Sequence, residues 1–288
     1  MAELGQLKKR LRSVELSAQL AGAMKTASSA KYSKIFRIYS AYRTYAAELE
    51  KLTGIPCAIQ SDKEKNQPEQ NKECYVVLGY NKGLCGGYNS ELHSFAENFI
   101  KDNGGGFICV CGKKTISYFK QNGIRADAEF ILPDIPDTEA CQPLFESVLP
   151  MLFGQKVNSV TLLYQSFVNT LTQKPAAKKL YPFTPERIPK SDIPDNGILL
   201  VPDRETVVRE LGEMISRTVF FETVIEAALG AQAATLMAMR TAYDNATETA
   251  EKLKNEINRK RQMDVTAGVI ETSAGMSSEW EDEDGNWK

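Results

Sequence analysis

The sequence predicts an α/β fold class, in which the N- and C-terminal segments form a long antiparallel coiled coil and a Rossmann-like α/β domain is inserted between them. Three observations lead to this prediction. The segment from Thr206 to Ser273 contains no proline. The N-terminal segment repeats apolar residues at coiled-coil spacing, and the middle block alternates short apolar runs with amphipathic stretches.

The proline-free C-terminal segment would extend about 100 Å as a single helix, at a rise of 1.5 Å per residue. A helix of that length cannot be buried in its own chain alone. Its apolar positions follow in steps of three and four, which is the spacing of a coiled-coil seam, so it needs a partner helix. The seam positions are Met239, Tyr243, Ala246, Ala250, Leu253 and Ile257.

The N-terminal segment supplies that partner. From Leu4 onward its seam positions step by three and four through about six heptads, and only Lys25 and Ser28 among them are polar. The simplest assembly pairs the two terminal helices as one antiparallel rod with a globular domain on its flank. The seam positions are Leu7, Leu11, Val14, Ala18, Ala21, Lys25, Ser28, Tyr32, Ile35, Tyr39, Tyr42, Ala46 and Leu49.

The middle block alternates predicted strands and helices, which implies a mostly parallel sheet with helices on its faces. Five prolines between Asn169 and Asn196 favour an edge strand or an extended crossing near Tyr181. A last strand is expected at 198–201, and Asp203 is expected to cap the long helix. The other predicted strands are 74–79, 107–111 and 159–164, and the helices are 91–101, 113–121 and 141–153.

The chain is expected to divide into five segments. Residues 1–54 form the N-terminal helix, 55–72 a polar linker, 73–203 the α/β domain, 204–275 the C-terminal helix, and 276–288 an acidic, disordered tail.

The composition excludes several function classes. A net charge of −2 gives no global attraction to nucleic acid or an anionic membrane. Six scattered cysteines indicate free thiols in a reducing setting. Cys109 and Cys111 lack the second pair of cysteines that a zinc site needs, and with a single histidine, His93, a His/Cys metal site is not expected. The most apolar run, 219–239, is interrupted by Glu222 and Glu226, which favours burial in protein over membrane insertion.

A glycine-rich loop follows the first predicted strand and invites a nucleotide-binding interpretation. The glycines Gly83, Gly86 and Gly87 do not have the spacing of either common phosphate-binding motif, and Lys82 precedes them instead of ending the loop. A tight turn that starts a helix is the alternative. No catalytic constellation and no cofactor site is predicted, and His93 is expected to have a packing or surface role.

Three motifs resemble the gamma subunit of the F-type ATP synthase. They are LKKRLRSV at 7–14 followed by Ala-Met-Lys at 23–25, KGLCGGYN at 82–89, and the C-terminal group AMR at 238–240, DNA at 244–246 and NRKRQ at 258–262. The resemblance covers the whole chain, with the motifs in the family's order.

The resemblance implies a central rotor shaft that couples ion flow through a membrane sector to conformational cycling of catalytic beta subunits. The subunit itself would be non-catalytic and would bind no nucleotide and no cofactor. Its partners would be three alpha and three beta subunits, the epsilon subunit and the c-ring. Neither a transit peptide nor a cysteine-containing regulatory insertion is visible, so a bacterial subunit is expected, peripheral on the cytoplasmic side of the cell membrane.

Carried over position by position, the resemblance places contacts with the beta subunits at Met24, Lys25, Arg261, Gln262 and Thr266. The loop residues Gly83, Leu84, Cys85 and Gly86 would shape the base domain. Met24 packing on the other helix, and Gln262 as ordinary helix surface, are the alternatives.

Several positions depart from the family's pattern. Thr26 and its neighbours are smaller and more polar than usual, and Thr235 stands where an arginine is common. Residues 198–203 lack the usual tyrosines and glutamate. Gly268 is expected to interrupt the last helical turns, and the acidic residues 279–288 extend past the usual end.

Two other function classes stay open from the sequence. A divergent coiled-coil protein of another assembly would keep the helices and explain the departures, and it would form no stable complex with alpha and beta subunits. A nucleotide-dependent α/β enzyme using the glycine loop would bind nucleotide as an isolated chain.

Overall fold

A computed structural model describes residues 2–50, 73–153, 157, 159–181 and 204–279. The chain divides into two compact units, one comprising Met1–Met24 with Met239–Lys288 and the other comprising Lys25–Ala238. Two long helices have residues in both units. In order, the elements are α1 Ala2–Glu50, β1 Glu73–Leu78, α2 Tyr88–Asp102, β2 Phe107–Cys111, α3 Lys113–Gln121, β3 Ala128–Phe130, α4 Thr138–Phe153, β4 Ser159–Phe167, β5 Gln173–Tyr181 and α5 Arg204–Glu279.

In the first unit, α1 and α5 run antiparallel. The Lys260 ammonium lies 2.9 Å from the Glu3 carboxylate. Further along α1, the Glu15 carboxylate lies 2.8 Å from the Lys254 ammonium. Residue numbers rise along α1 as they fall along α5, so the predicted antiparallel pairing is confirmed.

The predicted seams are confirmed as well. Every seam position from Leu7 to Leu49 on α1 is buried or partly buried, and so is every seam position from Met239 to Ile257 on α5. At Gly22 the two helices come close, because a Cβ added there would lie 3.2 Å from the Tyr243 ring. In the first unit the seven-residue repeat therefore predicts the faces at which the two helices meet, whereas Ile35, Tyr39 and Leu49 are buried in the core of the second unit.

The second unit is built on a five-stranded sheet in the order β3-β2-β1-β4-β5. Strands β1 to β4 pair parallel, and β5 adds to the β4 edge antiparallel. Central Val76 pairs with Cys109 on one side and Leu162 on the other. The sheet is mostly parallel, as the alternation of strands and helices predicts.

Helices cover both faces of this sheet. One face packs against α1, α4 and α5 in a core that includes Ile35, Phe145 and Phe220. The other packs against α2 and α3 through residues such as Leu92 and Phe119. Both faces of the strands are thus buried, which explains their continuous apolar runs.

Three sequence expectations need correction or completion. The short strand β3 was not predicted, so 159–164 lies in the fourth strand and not the third. The edge strand expected in the proline-rich region is β5, which includes Pro175. The expected strand 198–201, the cap Asp203 and residues 280–288 of the expected tail (276–288) lie outside the described residues, whereas residues 276–279 belong to α5.

The expected interruption at Gly268 is wrong, because α5 continues through it to Glu279. Glycine costs a helix about 1 kcal/mol relative to alanine, but it keeps its backbone donor and acceptor. The Thr272 hydroxyl donates to the Gly268 carbonyl at 2.7 Å.

The cysteines and the most apolar helix are buried. The five described cysteines are free and buried, and Cys57 lies outside the described residues. Over one window, α5 is long and apolar enough to cross a membrane, with a mean hydropathy of 1.3. Of that window, 83 % is buried inside the protein, which is typical of a core helix.

Candidate functional surfaces

The glycine loop between β1 and α2 is a tight turn held by its own side chains. Leu84 and Gly86 have φ values of 63° and 58°. The Asn89 side chain accepts a hydrogen bond from the Tyr80 amide at 3.2 Å and donates one to the Lys82 carbonyl at 3.1 Å. One amide side chain therefore closes the loop across nine residues.

The predicted loop residues have different environments. Leu84 is 60 % exposed, although a left-handed backbone costs a leucine about 1 kcal/mol or more. Cys85 is buried beside Tyr80, Tyr88 and Ala231, and this burial raises the pKa of its thiol. Gly83 and Gly86 have room around them, because an added Cβ at either would have no neighbour closer than 4.0 Å.

A pair of lysines converges on one carboxylate beside this loop. Asp134 contacts the ammonium of Lys31 on α1 and, at 2.5 Å, that of Lys82 in the loop. Burial acts to raise the pKa of Asp134, but hydrogen bonds from the two lysines outweigh it and hold this pKa below its usual value. The cluster ties α1 to the glycine loop and leaves one positive charge in excess.

The geometry of the loop does not favour nucleotide binding. Its cavity has a volume of about 40 Å³ and is lined by residues that include Tyr80, Asn81 and Asp134. Sites for small molecules usually measure several hundred Å³. The amides that flank the loop, those of Gly79 and Tyr88, already donate to the carbonyls of Cys111 and Cys85.

His93 is a packing residue. Its ring is 6 % exposed, makes a 3.0 Å hydrogen bond to the Thr115 hydroxyl and stacks on Tyr118 with centroids 4.5 Å apart. Burial lowers the pKa of His93 to about 4. Within the described ranges, no group of three His, Cys, Asp or Glu side chains could hold a metal ion.

The residues that fasten α5 to the glycine loop were not predicted from the sequence. The Tyr88 hydroxyl donates to the Ala227 carbonyl at 2.6 Å, and the Gln232 amide donates to the Tyr80 hydroxyl at 2.8 Å. At Gly230 an added Cβ would lie 3.3 Å from the Tyr88 ring. The one available signal was a polar residue, Gln232, within an otherwise apolar stretch of helix.

The predicted contact residues on the two long helices fall into separate groups. Met24, in the first unit, and Lys25, in the second, are both partly buried. Arg261, Gln262 and Thr266 are exposed, and the Thr266 hydroxyl donates to the Gln262 carbonyl at 2.9 Å. Along α5, Arg261 lies about 27 Å beyond Tyr243, the residue that faces Gly22, so the predicted residues form two surfaces and not one.

The end of α5 carries exposed apolar side chains that were not predicted as a site. Every described side chain from 261 to 273 is exposed, beyond the last ion pair with α1 at Lys260. Four of them are large and between 57 % and 63 % exposed. At 3.6 residues per turn, Met263 and Ile270 share one side of α5 and Val265 and Val269 share another, so apolar surface is exposed on two sides of this helix end. The four are Met263, Val265, Val269 and Ile270.

Two departures from the family's pattern can be placed. Thr235 is 5 % exposed, and its hydroxyl donates to the Ala231 carbonyl at 2.8 Å within the same helix. Thr26 lies on the exposed side of α1. The hydroxyl of Thr235 is therefore engaged within its own helix.

Comparison with known proteins places the chain in a family. The most informative relatives are ATP synthase gamma chains of Moorella thermoacetica, 29 % identical, and Staphylococcus epidermidis, 25 % identical, each match covering 96 % of this chain and 99 % of that protein. The rotor of the Euglena gracilis mitochondrial ATP synthase has the same fold, with a TM-score of 0.61 at 17 % identity, over 92 % of this chain and 99 % of that one. A family model described as ATP synthase matches residues 3–278. Because this match spans nearly the whole length, the chain belongs to the ATP synthase family.

Proposed function

We propose that this chain is the gamma subunit of an F-type ATP synthase, the central rotor shaft that couples ion flow through the membrane sector to conformational cycling of the catalytic beta subunits. The family match over residues 3–278 carries the proposal. The antiparallel pairing of α1 with α5 supports it, because a shaft needs a long helical pair.

In this mechanism the asymmetry of the shaft drives conformational change in the beta subunits. A single shaft inside a ring of three alpha and three beta subunits contacts each beta subunit through a different face. Each contact biases its beta subunit toward a different nucleotide affinity, and rotation exchanges these states. Ion flow supplies roughly 2.3 kcal/mol per charge for every 100 mV.

Two surfaces of the shaft would contact the beta subunits. Met24 and Lys25 form the first, on α1. Arg261, Gln262 and Thr266 form the second, together with the exposed apolar side chains that begin at Met263. An exposed apolar helix end is suited to a close-fitting sleeve of other subunits, because burial there removes its apolar surface from water.

The loop Gly83–Gly86 would shape the base domain, whose neighbours would be the epsilon subunit and the c-ring. The hydrogen bonds within the loop and the Lys31–Asp134–Lys82 cluster hold the loop in place within this domain. The subunit is non-catalytic in this proposal, since the reaction takes place in the beta subunits. It would be a peripheral protein on the cytoplasmic side of a bacterial cell membrane.

Co-expression with the alpha and beta subunits of the same organism tests the proposal. The expected product is a complex of three alpha, three beta and one copy of this chain, with a higher rate of ATP hydrolysis than alpha and beta alone. A chain that stays outside the complex and leaves the rate unchanged would indicate a coiled-coil protein of another assembly. Nucleotide binding by the isolated chain would instead indicate an enzyme.

A further inference from the structure

Glu226 is a buried carboxylate on α5 that contacts only one strand through hydrogen bonds. It is 7 % exposed. One of its oxygens accepts from the Ser166 hydroxyl at 2.8 Å and from the Phe167 amide at 2.9 Å, and the other accepts from the Tyr164 hydroxyl at 3.3 Å. All three donors belong to β4.

Further polar contacts lie along the same stretch of α5. One turn earlier, Glu222 pairs with Lys178 of β5 at 3.2 Å. The Ala227 carbonyl and the Gln232 amide contact Tyr88 and Tyr80, as described above. Among the described residues from 222 to 232, six polar contacts thus join α5 to the α/β elements, and Glu226 makes three of them.

The need to hold α5 against the sheet does not by itself explain these polar contacts. The surrounding core already holds α5 against the sheet through Val219, Phe220 and Leu229, and a buried carboxylate costs free energy that an apolar side chain would not. Apolar burial is non-directional, so small rotations of the helix that keep its apolar stripe against the sheet change the buried area little. Hydrogen bonds depend on angle and resist that rotation.

We propose that Glu226 is a positioning residue that fixes the rotational setting of α5 on the sheet and thereby carries torque between the α/β domain and this helix. The inference rests on the proposed rotor function. In that function, torque enters through the α/β domain and has to leave through the helix without slip.

The test measures torsional stiffness in the assembled complex. A bead is attached at Gln121, at the exposed end of α3, in complexes of alpha, beta and this chain that are fixed to a surface and held without nucleotide. Angular fluctuations of the bead report the stiffness of its connection to the shaft. Complexes are prepared from the otherwise unchanged chain and from Glu226→Ala, Ser166→Ala and Val110→Ala.

Glu226→Ala removes three of the six contacts, so the angular variance is expected to increase by up to about twofold. The contacts of α1 with the same domain stay intact and keep the increase below that limit. Ser166→Ala removes one hydrogen-bond donor to Glu226 and is expected to increase the angular variance by less. If Glu226→Ala does not fold, Ser166→Ala takes its place in the test. Val110→Ala is the matched control, because Val110 is fully buried on the opposite face of the sheet and its loss lowers stability without touching α5.

Equal angular variance in Glu226→Ala and Val110→Ala would overturn the inference while leaving the rotor function intact. If Ser166→Ala is used in place of Glu226→Ala, an unchanged angular variance would overturn it in the same way. Failure of the unsubstituted chain to enter the complex would overturn the proposed function, and this inference with it.

Discussion

His93 is the single histidine of the chain, and its burial makes stability depend on pH. Its pKa is about 4 in the folded protein, against about 6.5 for an unperturbed histidine. Between these values the unfolded chain binds a proton that the folded chain does not. The neutral ring therefore contributes stability that is complete above pH about 6.5 and is lost as pH falls toward 4.

We expect His93→Gln to flatten this dependence, because glutamine can still bond to Thr115 but does not titrate. Urea unfolding at successive pH values between 6.5 and 5 should show the slope decreasing by up to about 1.4 kcal/mol per pH unit. Thr115→Val serves as the control, since it removes the bond but keeps the titrating ring and hence the slope. A slope in His93→Gln equal to that of the unsubstituted chain would contradict the explanation.

Gly112 occupies a position that no other residue fits. Its φ is +96°, and a Cβ added there would lie 2.5 Å from the Gly79 carbonyl oxygen. Gly112→Ala is expected to cost about 3 kcal/mol of unfolding free energy, because backbone strain and a clash with the end of β1 add together.

The matched control for Gly112 is Gly104→Ala. Its φ of +80° imposes similar strain, but an added Cβ would have no neighbour within 4 Å, so a cost of about 1 kcal/mol is expected. Chemical denaturation of the two variants measures the difference. Equal costs would show that the Gly79 carbonyl moves aside.

At the scale of elements, the coil in the first unit depends on its seam. Leu253 is 4 % exposed at a seam position, whereas Leu16 on α1 is 57 % exposed outside the seam. Leu253→Ala is expected to lower the unfolding free energy of the coil by about 2–4 kcal/mol, because it leaves a cavity between the helices. Leu16→Ala should change it by less than about 0.5 kcal/mol.

Hydrogen exchange along 3–24 and 240–260 is the appropriate measurement, since it reports local opening of this unit. Only Leu253→Ala should lose protection in both stretches. The assignment of the seam fails if both variants lose it equally.

At the scale of the whole molecule, Met24 tests the proposed shaft contact. Met24→Lys would introduce a charge without a partner at an apolar contact, with a cost on the order of 3 kcal/mol if the contact is fully buried. We expect proton pumping per ATP hydrolysed to fall by more than about twofold while the complex still assembles, because the charge disfavours the tight contact that coupling requires.

The control for Met24→Lys adds the same charge at Gln121, which is exposed on α3 and lies outside the proposed contact. Pumping and hydrolysis are measured together in membranes that carry the full complex. Unchanged pumping per ATP in the Met24 variant would remove Met24 from the coupling surface.

The proposed contact surfaces and the division into five segments stay predictions. Met24 and Arg261 were assigned by resemblance alone, and the structure places them on separate surfaces of the paired helices. The apolar end of α5 was overlooked because Met263, Val265 and Ile270 do not form a regular heptad seam. Their exposure became apparent only from the structure, in which they lie beyond the last ion pair between α5 and α1.

The terminal helices, their seams and the main parallel strands could be predicted from the amino-acid sequence. These features depend on periodicity, which is a local property that can be read from spacing: Leu253 belongs to a seam whatever its partner is. Three other features became apparent only once the elements were packed together: β3 pairs with β2, Asp134 contacts two lysines, and Glu226 accepts hydrogen bonds from β4. Each of these brings together residues distant in sequence or completes a sheet, so it depends on how the elements pack and not on any pattern within one segment.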